Sequence, residues 1–204
     1  MILWKNPQKK LACILGRVES ISPGTGKAEG RKHVVRLSEW NSSGQVRTER
    51  IDFWNEPEPY KNPDKPRLMS DWASDLTLGE WVAVVADVSE RDHTATAFLH
   101  TSGAIDLGDL SIILGIPSRA GTPGLKGGWE VAIPTEGYTE TIRNVWFCGK
   151  KQEKDAELAC LLSPKEKLPV AVLARRLYQK SEGIAQYAGL KILPAKPPEQ
   201  FETN

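Results

Sequence analysis

Arg36, Trp40, Arg50 and Trp54 are the residues whose types and spacing come closest to a shared chemistry. They sit on two runs, RKHVVRLSEW (31–40) and QVRTERIDFW (45–54), joined by Asn41-Ser42-Ser43-Gly44, a hairpin loop by composition. Side chains alternate along a strand, so Val35, Leu37, Ile51 and Phe53 share one face and the four named residues share the other. Turning the first set inward buries the β-branched carbons and leaves two indoles and two guanidiniums outside. The inverse register would bury the tryptophans and expose Val35 and Ile51. With the indoles outside, each can stack on a base for about 1–3 kcal/mol, beside guanidiniums that hold phosphates.

Further cations lie nearby in the chain. Arg17 sits in the preceding strand-like run, and Lys27, Arg31 and Lys32 lie in or next to the Gly-rich turn between the runs. Residues 1–36 hold eight basic groups against Glu19 and Glu29, a local surplus of six, whereas residues 37–106 have a deficit of seven. The whole chain is only +1. Phosphate responds to local potential rather than to the total, so a basic first hairpin is compatible with a nucleic-acid backbone. The acidic stretch reads equally well as a solvated face.

Other chemistries find little support. Pro23-Gly24-Thr25-Gly26-Lys27 lacks the upstream glycine and the following Ser or Thr of a phosphate-binding loop, since Ile21 and Ala28 stand there. His33, His93 and His100 have no metal-ligand spacing, and no GxSxG or HExxH motif occurs. Cys13, Cys148 and Cys160 form neither a disulfide framework nor a CxxC pair. Cys148 reads as a small buried thiol rather than a nucleophile. No enzyme, metal or cofactor is expected.

Five strands and one short helix would position the first set of residues: 11–20, 31–40, 45–54, a helix from Ser70 to about Leu76, then 81–88 and 94–100. Between the first two strands, ISPGTGKAEG (21–30) reads as a flexible turn, and the four prolines of 56–67 make that segment a loop. Three strands, a helix and two strands is the order of an OB-fold barrel, whose second and third strands commonly grip single strands. Residues 1–108 are therefore expected to form an OB-fold domain and 109–193 a smaller α+β region, with a Pro-rich tail from 194 to 204. In the α+β region LSIILGI, WEVAI and TIRNVWFC read as strands around a Gly-rich loop, PSRAGTPGLKGG. Ser163-Pro164-Lys165-Glu166 reads as a capping box. Leu173, Ala174, Leu177, Ile184 and Ala188 then recur at helical spacing, which predicts a C-terminal helix with Arg175, Arg176, Gln179 and Lys180 on its other face. No internal repeat is expected.

The first half resembles the bacterial single-stranded-DNA-binding proteins. Ile14-Leu15-Gly16-Arg17 matches their first strand, and Leu78-Gly79-Glu80-Trp81-Val82 matches their Gly-x-x-Val strand. A basic, aromatic hairpin and a short helix lie between the two. The resemblance implies an OB-fold, non-catalytic binding by stacking and backbone electrostatics, no cofactor, and a homo-oligomer. The chain departs from the pattern at its end, Gln200-Phe201-Glu202-Thr203-Asn204, where the family has an acidic tail closing on Pro-Phe. Roughly a hundred partly folded residues replace the family's flexible linker. These departures fit a mobile-element, phage-type or complex-embedded relative.

Composition sets the outer bounds. With 204 residues, 40% hydrophobic and 26% charged, the chain can bury a core in one or two domains. No stretch reaches the roughly 18 apolar residues of a membrane span, and the N-terminus lacks a signal-peptide core. The expectation is a cytoplasmic protein that binds single-stranded nucleic acid, DNA in preference. The alternative is a structural or adaptor subunit of a larger nucleoprotein complex, using the barrel for protein contacts.

Overall fold

Strand-forming sequence dominates, and the pairing of its strands defines two units. The computed structural model describes residues 2–6, 11–25, 31–40, 46–55, 68–88, 93–100, 103–118, 122–123, 128–134, 142–150, 152–154, 156–157, 166–177 and 186–194. The units are Met1–His100 and Thr101–Asn204.

The first unit contains β1 (Ile2–Asn6), β2 (Leu11–Thr25), β3 (Arg31–Trp40), β4 (Val46–Trp54), α1 (Met69–Ser74), β5 (Trp81–Val88) and β6 (His93–His100). The sheet runs β1-β2-β3-β4-β6-β5, and β2 also pairs with β5, which closes a five-stranded barrel. All pairings are antiparallel except β4 with β6, which is parallel. This is the OB-fold connectivity anticipated from the element order.

The strand β2 makes closure possible by serving two partners. Residues 11–17 pair with β5 and residues 17–25 with β3. At the crossover lies Gly16, where an added Cβ would sit 2.8 Å from Leu37 Cβ and 2.9 Å from the Ser38 carbonyl oxygen. Only glycine permits that approach. The segment read as a flexible turn from Ile21 is strand as far as Thr25, and 26–30 lie outside the described residues. Pro23 is tolerated because β5 has already left that edge of β2.

The barrel core is made by Ile14, Val35, Leu37, Ile51, Phe53, Val82 and Val84, all fully buried, with Met69 and Ala73 of α1 packed against them. The register with β-branched carbons inward is therefore the one adopted. Helix α1 starts one residue before the expected cap. Ser70 lies inside it, and its hydroxyl donates to Asn55 Oδ1 at 2.9 Å instead of capping.

The second unit comprises β7 (Gly103–Asp106), β8 (Ser111–Gly115), β9 (Thr122–Pro123), β10 (Trp129–Pro134), β11 (Ile142–Phe147), β12 (Val170–Leu177) and β13 (Gln186–Pro194). Described residues between 150 and 157 are helical, and Ala156 joins the core. Among the described residues the expected C-terminal helix is absent: its apolar residues Leu173, Ala174 and Leu177 lie on β12, and Ala188 lies on β13. Residues 163–165 of the capping box, together with Gln179, Lys180, Ile184 and the tail beyond Pro194, lie outside the described residues. The run Val170–Ala174 is continuously buried, so both of its faces carry apolar side chains, while β8 and β13 pair along its two edges. Two-sided burial removes the period-two alternation and lets a short strand imitate helical spacing.

The second unit repeats the pairing scheme of the first, which the sequence reading did not anticipate. Its strand order is β7-β8-β12-β13-β11-β10-β9, with β11 and β13 parallel. Substituting β7 for β1, the broken pair β8 and β9 for β2, and β10 to β13 for β3 to β6 reproduces every pairing of the first unit. The correspondence extends to single residues. Gly16, Leu15 and Ile14 face Val82, Ala83 and Val84, while Gly115, Leu114 and Ile113 face Val170, Ala171 and Val172. A bulge falls between Val85 and Ala86, and another at the matching Leu173 and Ala174. Three residues before each first valine the backbone turns left-handed, at Gly79 (φ 84°) and Lys167 (φ 55°).

Candidate nucleic-acid interface

The outward residues of β2, β3 and β4 form rows across the barrel. Ser20, Arg36 and Arg50 make one row, with Arg36 directly opposite Arg50. Ser22, Val34 and Asp52 make the next, and Gly24, Lys32 and Trp54 the one beyond. The β2 edge thus offers small residues, over which a ligand backbone can approach closely, while β3 and β4 carry the charge and the indole.

The two arginines differ in electrostatic state. Arg36 is exposed and makes no ion pair among the described residues. Arg50 is held along its own strand by Asp52, with Nε donating to Oδ1 at 3.1 Å and a second guanidinium nitrogen donating to Oδ2 at 3.4 Å. The Asp52 side chain is only 5% exposed against 47% for Arg50, so the carboxylate anchors the arginine from beneath. Part of the Arg50 charge is therefore already matched. At the row of Ser38 and Thr48, Glu19 brings a further acid, accepting from Thr48 Oγ1 at 2.9 Å.

The two indoles do not make one platform. Trp54 is half-buried in the row of Lys32. Trp40 pairs with Val46 at the other end of the hairpin, eight residues away along β4, or about 27 Å at the strand rise. Arg36 and Arg50 lie between these ends.

The remaining candidates divide as follows. Arg17 is exposed, but its Nε donates to the Gly79 carbonyl at 2.8 Å, so it also braces the turn before β5. Arg31 and Lys32 begin β3, opposite Thr25 and Gly24. Lys27 lies outside the described residues.

Cys148 departs from expectation. It is exposed, because β11 ends at Phe147 and the next residue follows the outward alternation. Cys13, in contrast, is fully buried, and burial pushes its thiol up to about 12. Among the described residues no group of His, Cys, Asp and Glu has a metal-binding arrangement, and no helix is long and apolar enough to cross a membrane.

Sequence reasoning passed over β1, the Arg50–Asp52 pair and the recurrence of the pairing scheme. The recurrence had a visible signal: Leu-x-x-Ile-Leu-Gly occurs at both 11–16 and 110–115, and Val-Ala-Val-x-Ala at both 82–86 and 170–174.

No family model matches this chain, and no curated protein matches it significantly. Among solved structures, the wild-type single-stranded DNA binding protein from Thermus aquaticus is similar at 12% identity and a TM-score of 0.31, covering 90% of this chain and 91% of that one. A deletion mutant of the same protein is similar at 11% identity and the same TM-score, covering 90% and 93%. The barrel assignment rests on the strand pairing described above.

Proposed function

We propose that the first barrel binds single-stranded nucleic acid, DNA in preference, without catalysis, across the outward face of β2, β3 and β4. The observation that carries this reading is the pair of opposed guanidiniums, Arg36 and Arg50, on the outer wall of a barrel of OB connectivity. Trp54 supplies stacking at one end of the face, and Trp40 marks the other. Lys27, Arg31 and Lys32 contact phosphates at the hairpin tip, and Arg17 borders the opposite side. Stacking tolerates any base and the cations follow the backbone, so binding is salt-sensitive and weakly sequence-dependent.

The test is titration of the purified chain with oligo-dT, followed by tryptophan quenching at several salt concentrations. Trp54→Ala and Trp40→Ala should each weaken binding about tenfold, given the stacking energy of one base. Because the two positions stand so far apart, their effects should add. Unchanged affinity in the double variant would sink the assignment.

A second reading, an adaptor subunit using this wall for protein contact, is favoured by one observation. Val46, opposite Trp40, is 56% exposed, so that end of the face is apolar rather than cationic. Oligonucleotide binding seen only with a co-purifying protein would favour it.

A further inference from the structure

The matched register of the two units permits a position-by-position comparison of their outer walls. Ile51 faces Val35 on one side and His93 on the other. Val145 faces Val131 and Tyr187 in the same way. Counting from these anchors, Arg36 corresponds to Ala132, Arg50 to Asn144, Val34 to Glu130 and Asp52 to Trp146. Both guanidiniums are therefore replaced by neutral groups, and the ionisable group gained at these four outward positions is an acid; Arg143 of β11 stands at the alternate position, paired with Ile133. The wall is also partly closed at its centre. Ala132 is 7% exposed although it occupies an outward position, and Ser118 donates both its backbone N–H (2.9 Å) and its hydroxyl (3.3 Å) to the Ala132 carbonyl.

We propose that the second unit has kept the scaffold and lost the ligand face, so that each chain holds one strand, on its first barrel. The inference rests on the function proposed above. It follows from charge: a wall with Glu130 and no cation among its described positions repels the phosphates that the matching wall of the first unit attracts.

Stoichiometry and salt dependence test it together in the full chain. Titration with a dT oligomer of about ten nucleotides, within the range one barrel occupies, should saturate at one oligomer per chain. Arg36→Ala should lower the slope of log K against log salt by about 0.7, the value for one cation on a single strand. Asn144→Ala should leave both slope and affinity within twofold of the parent, with circular dichroism confirming an intact fold. Saturation at two oligomers per chain overturns the proposal, as does a loss in Asn144→Ala equal to that in Arg36→Ala. Absence of all binding by the parent overturns the proposed function itself, and this inference with it.

Discussion

At the scale of single residues, burial and pairing decide which groups can act. Arg36 and Arg50 look equivalent in the sequence, yet only Arg50 is tied to a buried carboxylate. Removing Arg36 should therefore weaken oligonucleotide binding more than removing Arg50, by about threefold or more, given the typical weight of a charge-assisted contact. Asp52→Asn should tighten binding, because it frees the Arg50 charge; parallel titrations at one salt concentration compare the three variants. The cysteines separate by the same logic. A thiol reagent should label Cys148 in the folded chain and reach Cys13 only on unfolding. Cys13 also makes stability depend on alkaline pH. Its thiol ionises near 9.0 when unfolded and near 12 when folded, so the unfolded chain sheds the proton first. Stability is whole below pH 9 and falls above it by up to about 1.4 kcal/mol per unit. Denaturation midpoints of Cys13→Ala between pH 8 and 10.5 should fall less steeply than those of the parent. An equal slope would mean that other groups carry the effect.

Elements are legible where one face meets solvent, and where neither does they are legible only when turn residues mark their ends. The alternation in β3 and β4 fixed both strands and their register, because Val35, Leu37, Ile51 and Phe53 are buried while Arg36 and Arg50 are exposed. β12 misled because Val170 to Ala174 are buried on both sides, leaving composition without a period. Its counterpart β5 carries nearly the same residues and reads correctly as a strand, since Gly79 marks its start. The start of β12 has no such marker, because Lys167 occupies the left-handed position that Gly79 fills in the first unit. A non-glycine residue there costs about 1 kcal/mol. Lys167→Gly should therefore raise stability by about that amount in chemical denaturation. Gly79→Ala should lower it by about as much, since an added Cβ would also meet an Arg17 guanidinium nitrogen at 3.0 Å.

Across the whole molecule, two sheets of matching pairing scheme share one nearly neutral chain, and the charge is not spread evenly along it. The first 36 residues carry a surplus of six positive charges, and the next seventy carry more than enough acid to cancel it. Long-range steering toward a polyanion is therefore weak, and affinity has to come from cations placed at the face itself. Six residues are candidates for that role: Arg17, Lys27, Arg31, Lys32, Arg36 and Arg50. If each released one counterion from a single strand, log K would fall against log salt with a slope of about −4 at most. The Asp52 pair takes part of the Arg50 contribution, and the Gly79 contact takes part of that from Arg17, so the measured slope should lie between about −2 and −4. A slope beyond −5 would require cations that this wall does not possess. An alternative source is Arg175 on the exposed end of β12. Charge reversal there, Arg175→Glu, separates the two cases: it leaves the slope unchanged if the first barrel alone holds the strand, and flattens it if the second unit shares the load.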